Sequence, residues 1–455
     1  MAGGLLAVPP AASATVTTST YTTGPINVAG YEVKQDYMIG VPKPPAGGAI
    51  TNMEVDVVDQ SGQPVPIQRL MLHHIVFLNV GRKDPTCDSF LSFDNLTSFP
   101  GAAERFYAAG EERAKVALPA GYGYKHGGAP WAITYMVMNH RPVNDQAYIQ
   151  YKVTVDDNPA LQSVKPYWMD VQNCHADPIY NVPGTKRSGS THNRFYDFTF
   201  PESGRIVGGM GHVHGGARKL SLTEPDCGDR QIGESVPTWG NPDHPFYNVR
   251  PILHEPGPVN MTGFQTQQGI PVRAGERVRL NSLYDNSRPH TRVMGIMLVF
   301  LAPDGSVGGP CGPMPGDLVT LGSSQAGRPG PIPFRIPLTG LDANGNAITI
   351  KKPPGRTVEV AGGTDIQVLQ RSFSRRNVRI RRGQKLDYVF SGSELHNLTL
   401  ANGPVGIGSP NLNGSRVFTQ KFGRAGKYRF FCGLHPVQMQ QRVVVKRKRW
   451  HRRHN

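Results

Sequence analysis

Three side chains that suit a soft metal ion lie close together near the end of this 455-residue chain. The segment FFCGLHPVQM contains Cys432, His435 and Met439. A thiolate, an imidazole and a thioether together favour copper, which accepts soft ligands in a near-trigonal site in both of its common oxidation states. A second imidazole must come from an earlier strand end, and His396 in SGSELHNLTL offers it. These four residues form the predicted C-terminal copper site.

Paired histidines mark a separate candidate region upstream. His73 and His74 are adjacent in RLMLHHIVF. Neighbours in a regular strand face opposite sides, so both can reach one metal only at a strand end or a bulge. His140 ends another apolar stretch, YMVMNHRP.

A His-x-His motif and a methionine follow further along. In GMGHVHGGA the spacing of His212 and His214 puts both on one face of a strand. HTRVMGIML then supplies Met294 or Met297. Each of these features is common alone, and their combination predicts metal binding.

The strand period of two runs through almost the whole chain. Ile75–Val80, Trp131–His140 and Ala147–Val155 all show it, and the 53 glycines and 40 prolines favour turns over helices. We therefore expect an all-β protein with two β units before a Gly/Pro-rich linker and one after it. The predicted division is 1–23 (N-terminal segment), 24–185, 186–303, 304–347 (linker), 348–446 and 447–455 (basic tail).

The C-terminal hundred residues or so resemble the cupredoxins, the blue-copper proteins. The order His396, Cys432-x2-His435-x3-Met439 and the strand GKYRFFC carry the resemblance. It implies a Greek-key β-sandwich that holds one type 1 copper. A rigid sandwich keeps the ligands still as the copper gains or loses an electron.

The upstream order of ligands, His-His, His, His-x-His and Met, resembles the copper type II monooxygenases, which include the peptidylglycine- and dopamine-hydroxylating enzymes. The resemblance spans about Tyr31 to Leu301. It implies two tandem jelly-roll-like β-sandwiches, each with one type 2 copper, facing across an open cleft. By position, His73, His74 and His140 would hold the first copper, which stores and relays an electron. His212, His214 and Met294 would hold the second, catalytic copper, where O2 binds.

The chain departs from the peptide-amidating enzyme at positions near the second copper. Met210 stands where that enzyme has an arginine that binds the substrate carboxylate. Ile296 and Leu298 replace an asparagine and a tyrosine that also serve the substrate, and Gly295 replaces a cysteine of a family disulfide. A peptide carboxylate is therefore not the expected substrate. Either the substrate site has changed, or catalysis has been lost.

The cysteines and the N-terminal segment indicate the cellular compartment of the protein. If Cys432 holds a metal, four cysteines remain and allow three disulfide pairings. Cys87–Cys174 with Cys227–Cys311 is the least strained choice, and buried free thiols are the alternative. An apolar start ending in Ala-Ser-Ala resembles a secretory signal cleaved after Ala14, although its charged region is missing. These features favour export to the periplasm, the envelope or the exterior.

The net charge of +16 is concentrated partly in the last residues, VKRKRWHRRHN. No nucleic-acid recognition motif accompanies this tail, so we expect no specific nucleic-acid binding. The tail predicts contact with an anionic envelope surface or an acidic redox partner.

The combined sites predict an exported copper-dependent monooxygenase. It would hydroxylate an unidentified organic substrate with O2, and an external donor, either a small reductant or a redox protein, would supply electrons through the fused blue-copper domain. The main alternative is a non-enzymatic copper-binding or electron-transfer protein whose tandem unit is catalytically silent. A multicopper reductase acting on a small inorganic substrate is a third.

Overall fold

The protein is described here by a computed structural model that covers residues 14–87, 103–175, 177–241, 243–322, 328–331 and 333–447. The chain is all-β, as predicted, with strands arranged in sheets that pack face to face. Two single 3-10 turns, Pro225–Cys227 and Pro245–Tyr247, are its helical segments within those ranges. In the same ranges, no helix has the length and apolar character needed to cross a bilayer.

The first pair of sheets encloses the first hydrophobic core. Its strands are β1 (Val16–Val28), β2 (Val33–Val41), β3 (Ala49–Val58), β4 (Leu70–Val80), β5 (Ala103–Gly110), β6 (Val116–Ala117), β7 (Tyr122–Gly123), β8 (Trp131–Asn139), β9 (Asp145–Asp156) and β10 (Gln162–Ser163). One sheet has the order β1-β9-β3-β6 and the other β2-β8-β4-β5, with β7 and β10 paired beside them. Phe77, Trp131 and Tyr151 are fully buried in this core. The predicted strands at Ile75, Trp131 and Ala147 are confirmed.

The second pair of sheets follows. Its strands are β11 (Lys165–Asp170), β12 (Tyr180–Val182), β13 (Thr191–Thr199), β14 (Gly204–Val213), β15 (Ala217–Glu224), β16 (Arg230–Ser235), β17 (Pro237–Trp239), β18 (Asn260–Met261), β19 (Gly263–Val272), β20 (Arg277–Asp285), β21 (His290–Val293), β22 (Gly295–Pro303), β23 (Val319–Leu321) and β24 (Arg328–Pro329). The order β11-β22-β14-β19-β23 faces β13-β20-β15-β16. β23, which lies within the predicted linker, is an edge strand of this second unit. β11 also belongs to the second unit, although the predicted boundary at residue 185 placed it in the first.

The third pair of sheets forms the C-terminal unit. Its strands are β25 (Thr339–Leu341), β26 (Ala347–Thr349), β27 (Val358–Glu359), β28 (Thr364–Leu369), β29 (Ser372–Phe373), β30 (Asn377–Arg381), β31 (Lys385–Phe390), β32 (Thr399–Asn402), β33 (Arg416–Lys421), β34 (Gly426–Cys432) and β35 (His435–Lys446). The order β27-β30-β35-β34-β32 packs on β29-β28-β31-β33. Tyr388, Phe390 and Tyr428 fill the space between the sheets.

The first and third units share one apolar core. Met71, Met136 and Met138 of β4 and β8 are buried in the same cluster as the C-terminal sandwich. Both faces of these two strands are therefore covered, which explains why they are apolar almost throughout. Burying each methionine contributes about 1.5–3 kcal/mol, so this contact holds the units together.

Hydrogen bonds join the second unit to the third. Thr291 Oγ1 donates to the Leu400 carbonyl at 2.8 Å, and Asn181 Nδ2 donates to the Gly408 carbonyl at 3.0 Å. Arg292 donates to the Ser409 carbonyl and to Asn411 Oδ1. The C-terminal unit is thus fixed against β21 and against β12, which pairs with it.

Both expected disulfides are present. Cys87 pairs with Cys174, and Cys227 pairs with Cys311, each with a Cα–Cα distance of 5.5 Å. Cys432 is the free cysteine of the described residues and is buried. Two disulfides indicate an oxidising, exported environment. The proposed leader, residues 1–13, and the tail from residue 448 lie outside the described residues.

Candidate metal centres

The C-terminal centre is built on one hairpin. β34 ends at Cys432 and β35 begins at His435, so the thiol and the imidazole flank a two-residue turn. His396 lies in the loop before β32. Its backbone N–H donates to the Leu412 carbonyl, and its carbonyl accepts from the Leu412 N–H. Cys432, His396 and His435 are 0%, 1% and 6% exposed. Three of the four predicted ligands are therefore brought to one buried point.

Ligand atoms at this point are spaced as a single ion requires. His396 Nδ1 is 3.2 Å from His435 Nδ1, and Cys432 Sγ is 4.0 Å and 3.8 Å from these two atoms. Bonds of about 2.0–2.3 Å from one metal to nitrogen and sulfur ligands give separations of this size. Met439 is fully buried in the same core, four residues after His435. Its role as the weak fourth ligand stays a prediction.

Polar groups around the centre hold the ligands. The Asn397 amide N–H donates to Cys432 Sγ at 3.4 Å, and Asn397 Oδ1 accepts from the Gly433 amide at 2.7 Å. Burial raises the pKa of the Cys432 thiol, and this hydrogen bond partly opposes the shift. Burial lowers the pKa of His435 to about 4, so its imidazole is neutral, the form that binds metals.

The upstream cluster begins with a bulge in β4. The register between β4 and β8 shifts between Leu72 and His74, so consecutive side chains no longer point to opposite faces. His73 Nδ1 consequently lies 3.1 Å from His74 Nδ1. The expectation that adjacent histidines meet only at a bulge or a strand end is confirmed.

His212 and His214 lie on one face, as their spacing predicts. They stand at the end of β14, with ring centroids 5.2 Å apart. The Tyr284 hydroxyl accepts from the His214 backbone N–H at 2.9 Å and donates to the Met294 carbonyl at 2.7 Å. One buried tyrosine therefore ties the His-x-His segment to the residue that precedes β22.

The two predicted histidine sets touch instead of facing each other across an open cleft. The His73 ring lies 5.2 Å from that of His74, 4.9 Å from that of His214 and 5.0 Å from that of His254. His74 and His212 also line one cavity together with Met294. Five of the imidazoles thus form a single compact group, which we call the histidine cluster: His73, His74, His212, His214 and His254.

His140 follows the end of β8, as predicted. The register pairs His74 with Met136, four residues before His140. Because a strand rises about 3.3 Å per residue, the His140 backbone lies about 13 Å further along β8. Its ring is buried, and neither of its nitrogens has a hydrogen-bond partner among the described residues. The role of His140 as a ligand of the first copper stays a prediction.

Two carboxylates enter the cluster directly after β5. Glu111 Oε1 is hydrogen-bonded to His254 Nε2 and lies 3.6 Å from His73 Nε2. Glu112 lies 3.2 Å and 3.3 Å from His212 Nδ1 through its two oxygens. A carboxylate on one ring nitrogen fixes an imidazole so that the other nitrogen can bind a metal.

Electrostatics keep most of the cluster neutral. Burial, followed by the neighbouring imidazoles, lowers the pKa of His73 and of His214 well below the usual range, and burial lowers that of His74 to about 3. His212 differs: burial opposes its charge, but the Glu112 carboxylate raises its pKa above the ordinary value. The buried Nε2 atoms of His212 and His214 have no hydrogen-bond partner among the described residues. This donor set fits a metal ion.

Two cavities adjoin the cluster. One has a cavity volume of about 70 Å³ and is lined mainly by apolar side chains, with His74, His212 and Met294 in its wall. The other has a volume of about 90 Å³ and lies between the cluster and the C-terminal centre, because His73 and His214 line it together with Gly433 and Leu434. The cluster therefore has an apolar pocket on one side and the Cys432 hairpin on the other.

Comparison with known proteins gives one family match. A family model described as "Stress up-regulated Nod 19" matches residues 132–304. This segment contains His212, His214 and Met294 and lacks His73 and His74. No curated protein matches the chain.

Amicyanin structures are similar to part of the chain. A Cu(I) form of an amicyanin mutant at pH 4 has 20% sequence identity, a reduced mutant form has 22%, and an oxidised mutant form has 18%. Each match covers 19% of this chain and 85% or 86% of amicyanin, with a TM-score of 0.18.

Sequence reasoning missed His254 of the cluster and the two carboxylates that contact the cluster, Glu111 and Glu112. No spacing signal identifies them, since His254 lies in an irregular loop and the carboxylates simply follow a strand. His290 lies outside the cluster, with Nδ1 2.9 Å from Glu255 Oε2.

Proposed function

We infer that this protein is an exported copper-dependent monooxygenase that hydroxylates an apolar organic substrate and receives electrons through its C-terminal unit. One observation carries the proposal: His74, His212 and Met294 line the same apolar pocket. A candidate metal-binding group that borders an empty apolar pocket has the arrangement needed for chemistry on a bound molecule.

The chain's own residues would hold copper at this pocket. His212 and His214 offer buried, unpaired Nε2 atoms, and Glu112 orients the ring of His212. Met294 would add a thioether, which favours Cu(I). Copper bound here would supply O2 binding and one-electron chemistry. The overall reaction takes one C–H bond, O2, two electrons and two protons to one C–OH group and water.

The pocket wall supports an apolar substrate. Met210, Ile296 and Leu298, the three positions that differ from the substrate-binding residues of the peptide-amidating enzymes, all line it. Trp168 and Tyr135 add aromatic surface. The replacement of carboxylate-binding side chains by apolar ones at these positions removes the groups that would select a charged peptide end.

The second cavity supports electron supply from the Cys432 hairpin. Gly433 and Leu434 directly follow Cys432 and face a space that His73 and His214 also line. The Leu434 carbonyl accepts from the Val33 amide at 3.4 Å, so this turn is bonded to the first unit. An external one-electron donor would reduce the C-terminal centre, and the short path through this turn would lead to the cluster.

Oxygen consumption by the reduced, copper-loaded protein tests the proposal. The chain is loaded with copper, reduced with ascorbate and supplied with a panel of neutral aromatic and aliphatic compounds under 18O2. We expect uptake of oxygen that depends on one of these compounds and one 18O atom in its product. The variant Met210→Arg, which places a cation in the pocket wall, should lose this reaction while it keeps its copper.

Absence of substrate-dependent oxygen uptake across the panel, with all coppers bound, contradicts the monooxygenase and favours a copper-binding electron carrier. Consumption of an inorganic oxidant instead of O2 favours a reductase.

A further inference from the structure

We propose that His73, His254 and Glu111 form a metal-binding site of their own for a divalent first-row transition-metal ion. The ion would bind Nε2 of both imidazoles and one carboxylate oxygen. The ligand atoms of these three residues lie within 4.8 Å of one another. This inference goes beyond the proposed function, because metal binding here does not depend on hydroxylation.

Charge and burial favour a cation at this point. Glu111 is 8% exposed and His73 is 7% exposed. Glu111 contacts the two imidazoles and the Gly257 amide, whose N–H donates to Oε2 at 2.8 Å. None of these partners carries a permanent positive charge. Because a buried carboxylate is costly without a cation, a bound metal ion would balance it.

The loop that carries His254 is anchored on both sides of this residue. Leu253 is buried in the core shared with the C-terminal unit. Glu255 forms an ion pair with Arg288 and lies 2.9 Å from His290 Nδ1. These two anchors direct the intervening side chain into the cluster.

Gly257 brings the same loop against the carboxylate of the proposed site. A Cβ atom at this position would lie 2.8 Å from Glu111 Oε2, which is closer than packed atoms allow. A larger residue here would displace the end of the Glu111 side chain. The loop is therefore shaped around Glu111.

The proposed site also divides the cluster into two ligand sets. If Nε2 of His73 binds the metal, its Nδ1–H remains to donate to His74 Nδ1, 3.1 Å away. Metal-bound histidines commonly use their second nitrogen in this way. His74 then carries its proton on Nε2 and lines the pocket beside His212 without binding this metal.

Copper counting on single variants tests the site. The full-length chain and the variants His254→Ala, Glu111→Gln and His140→Ala are loaded with Cu(II) alone and freed of excess. Copper per chain is then measured by mass spectrometry, and type 2 copper by electron paramagnetic resonance. His140→Ala is the matched control, because it removes a buried imidazole from the margin of the same cluster.

We expect His254→Ala to lose one copper per chain and His140→Ala to lose none. Glu111→Gln keeps the shape and one acceptor for Gly257, and it should bind that copper at least about tenfold more weakly. The blue absorption of the Cys432 centre should stay unchanged, which checks folding in each sample.

Loss of copper in His140→Ala with retention in His254→Ala overturns the proposal, as does full retention in both His254→Ala and Glu111→Gln. If His254→Ala does not fold, the copper content of Glu111→Gln alone tests the proposed site. An inactive protein whose copper count still depends on His254 contradicts only the proposed function. An active protein whose copper count is insensitive to His254 and Glu111 contradicts only this site.

Discussion

The C-terminal centre and the histidine cluster are assembled in different ways from similar ligands. Cys432 and His435 lie on one hairpin, and His396 is fixed by backbone hydrogen bonds to its neighbouring loop. The cluster instead gathers residues from a β4 bulge, the end of β14 and the loop around His254, with two carboxylates from the end of β5 in contact with it. The C-terminal centre is rigid because two of its residues are close in sequence on one hairpin. The geometry of the histidine cluster depends instead on how the units pack against each other.

The surroundings of the two centres differ as well. The three C-terminal ligands are enclosed by a sandwich core, which suits electron exchange without movement. The cluster is in contact with the carboxylates of Glu111 and Glu112 and borders two cavities. A centre with charge-balancing groups and adjoining space suits the binding of a further molecule, which is why we place substrate chemistry there.

Replacing the thiol should separate the two centres most clearly. Cys432→Ser removes the soft ligand, so we expect complete loss of blue absorption and of one copper per chain, with the type 2 copper unchanged. Turnover with a protein electron donor should fall, while turnover with excess ascorbate should be less affected. Visible absorption, copper counting and steady-state kinetics measure these effects.

Cys87→Ser together with Cys174→Ser serves as the control for thiol loss, since this pair forms a disulfide outside the C-terminal unit. It should leave the blue absorption intact. Unchanged turnover of Cys432→Ser with the protein donor would rule out the electron route through the C-terminal unit.

The contrast between the centres also explains how far sequence reasoning reached. The alternating pattern predicted the strands, and the spacing from Cys432 to His435 predicted a shared site, because nearby residues on a hairpin must stay close. The His212–His214 face followed from strand period in the same way. Such inferences require only local geometry.

Longer-range features could not be predicted in this way. The approach of His73 to His214 depends on how two sandwiches pack, and the part played by His254 depends on an irregular loop anchored by Leu253. The position of His140 relative to His74 follows from the β4–β8 register, which a pattern alone does not set. The place of β11 in the second unit could not be predicted for a similar reason, because β11 pairs with β22, which lies far along the chain.

Glu112 provides the next test, on the cluster side. Glu112→Gln removes the charge that faces His212 Nδ1 but keeps the size of the side chain. It also keeps an acceptor for the Gly110 amide, which donates to Glu112 Oε1 at 2.9 Å in the unchanged protein. The copper at the pocket should bind about 10–100-fold more weakly, because the imidazole loses its orienting carboxylate. A competition titration with a copper chelator measures the change.

The carboxylate of Glu104, which accepts a hydrogen bond from the Tyr124 hydroxyl away from the cluster, offers a matched control. Glu104→Gln should leave copper affinity unchanged. Equal effects of the two variants would show that the loss comes from a weakened fold and not from the ring of His212.

Two methionines near β22 distinguish the predicted ligand from a core residue. Met294 lines both cavities beside the cluster, whereas Met297 is fully buried in the second core. Met294→Leu should weaken retention of Cu(I) by about tenfold and spare Cu(II), since only the softer ion depends on a thioether. Met297→Leu should change neither affinity. A reversed result would move the ligand to Met297.

The smallest expected effect concerns the support of the Cys432 hairpin. Asn397→Ala removes the acceptor of the Gly433 amide and the donor to Asn411 Oδ1, but it keeps the backbone N–H that faces Cys432 Sγ. We expect the free energy of unfolding of this unit to fall by about 1–3 kcal/mol, because buried polar groups lose their partners. The blue centre should still form.

Chemical unfolding followed through the blue absorption measures this change for the C-terminal unit alone. Asn413→Ala, which removes an exposed hydrogen bond to the Ser393 carbonyl, should change stability by less than about 0.5 kcal/mol. If Asn397→Ala abolishes the blue centre, the Asn397 side chain positions the ligand turn itself, and the C-terminal centre then depends on packed neighbours as the histidine cluster does. If it only lowers stability, the hairpin alone sets the ligand geometry.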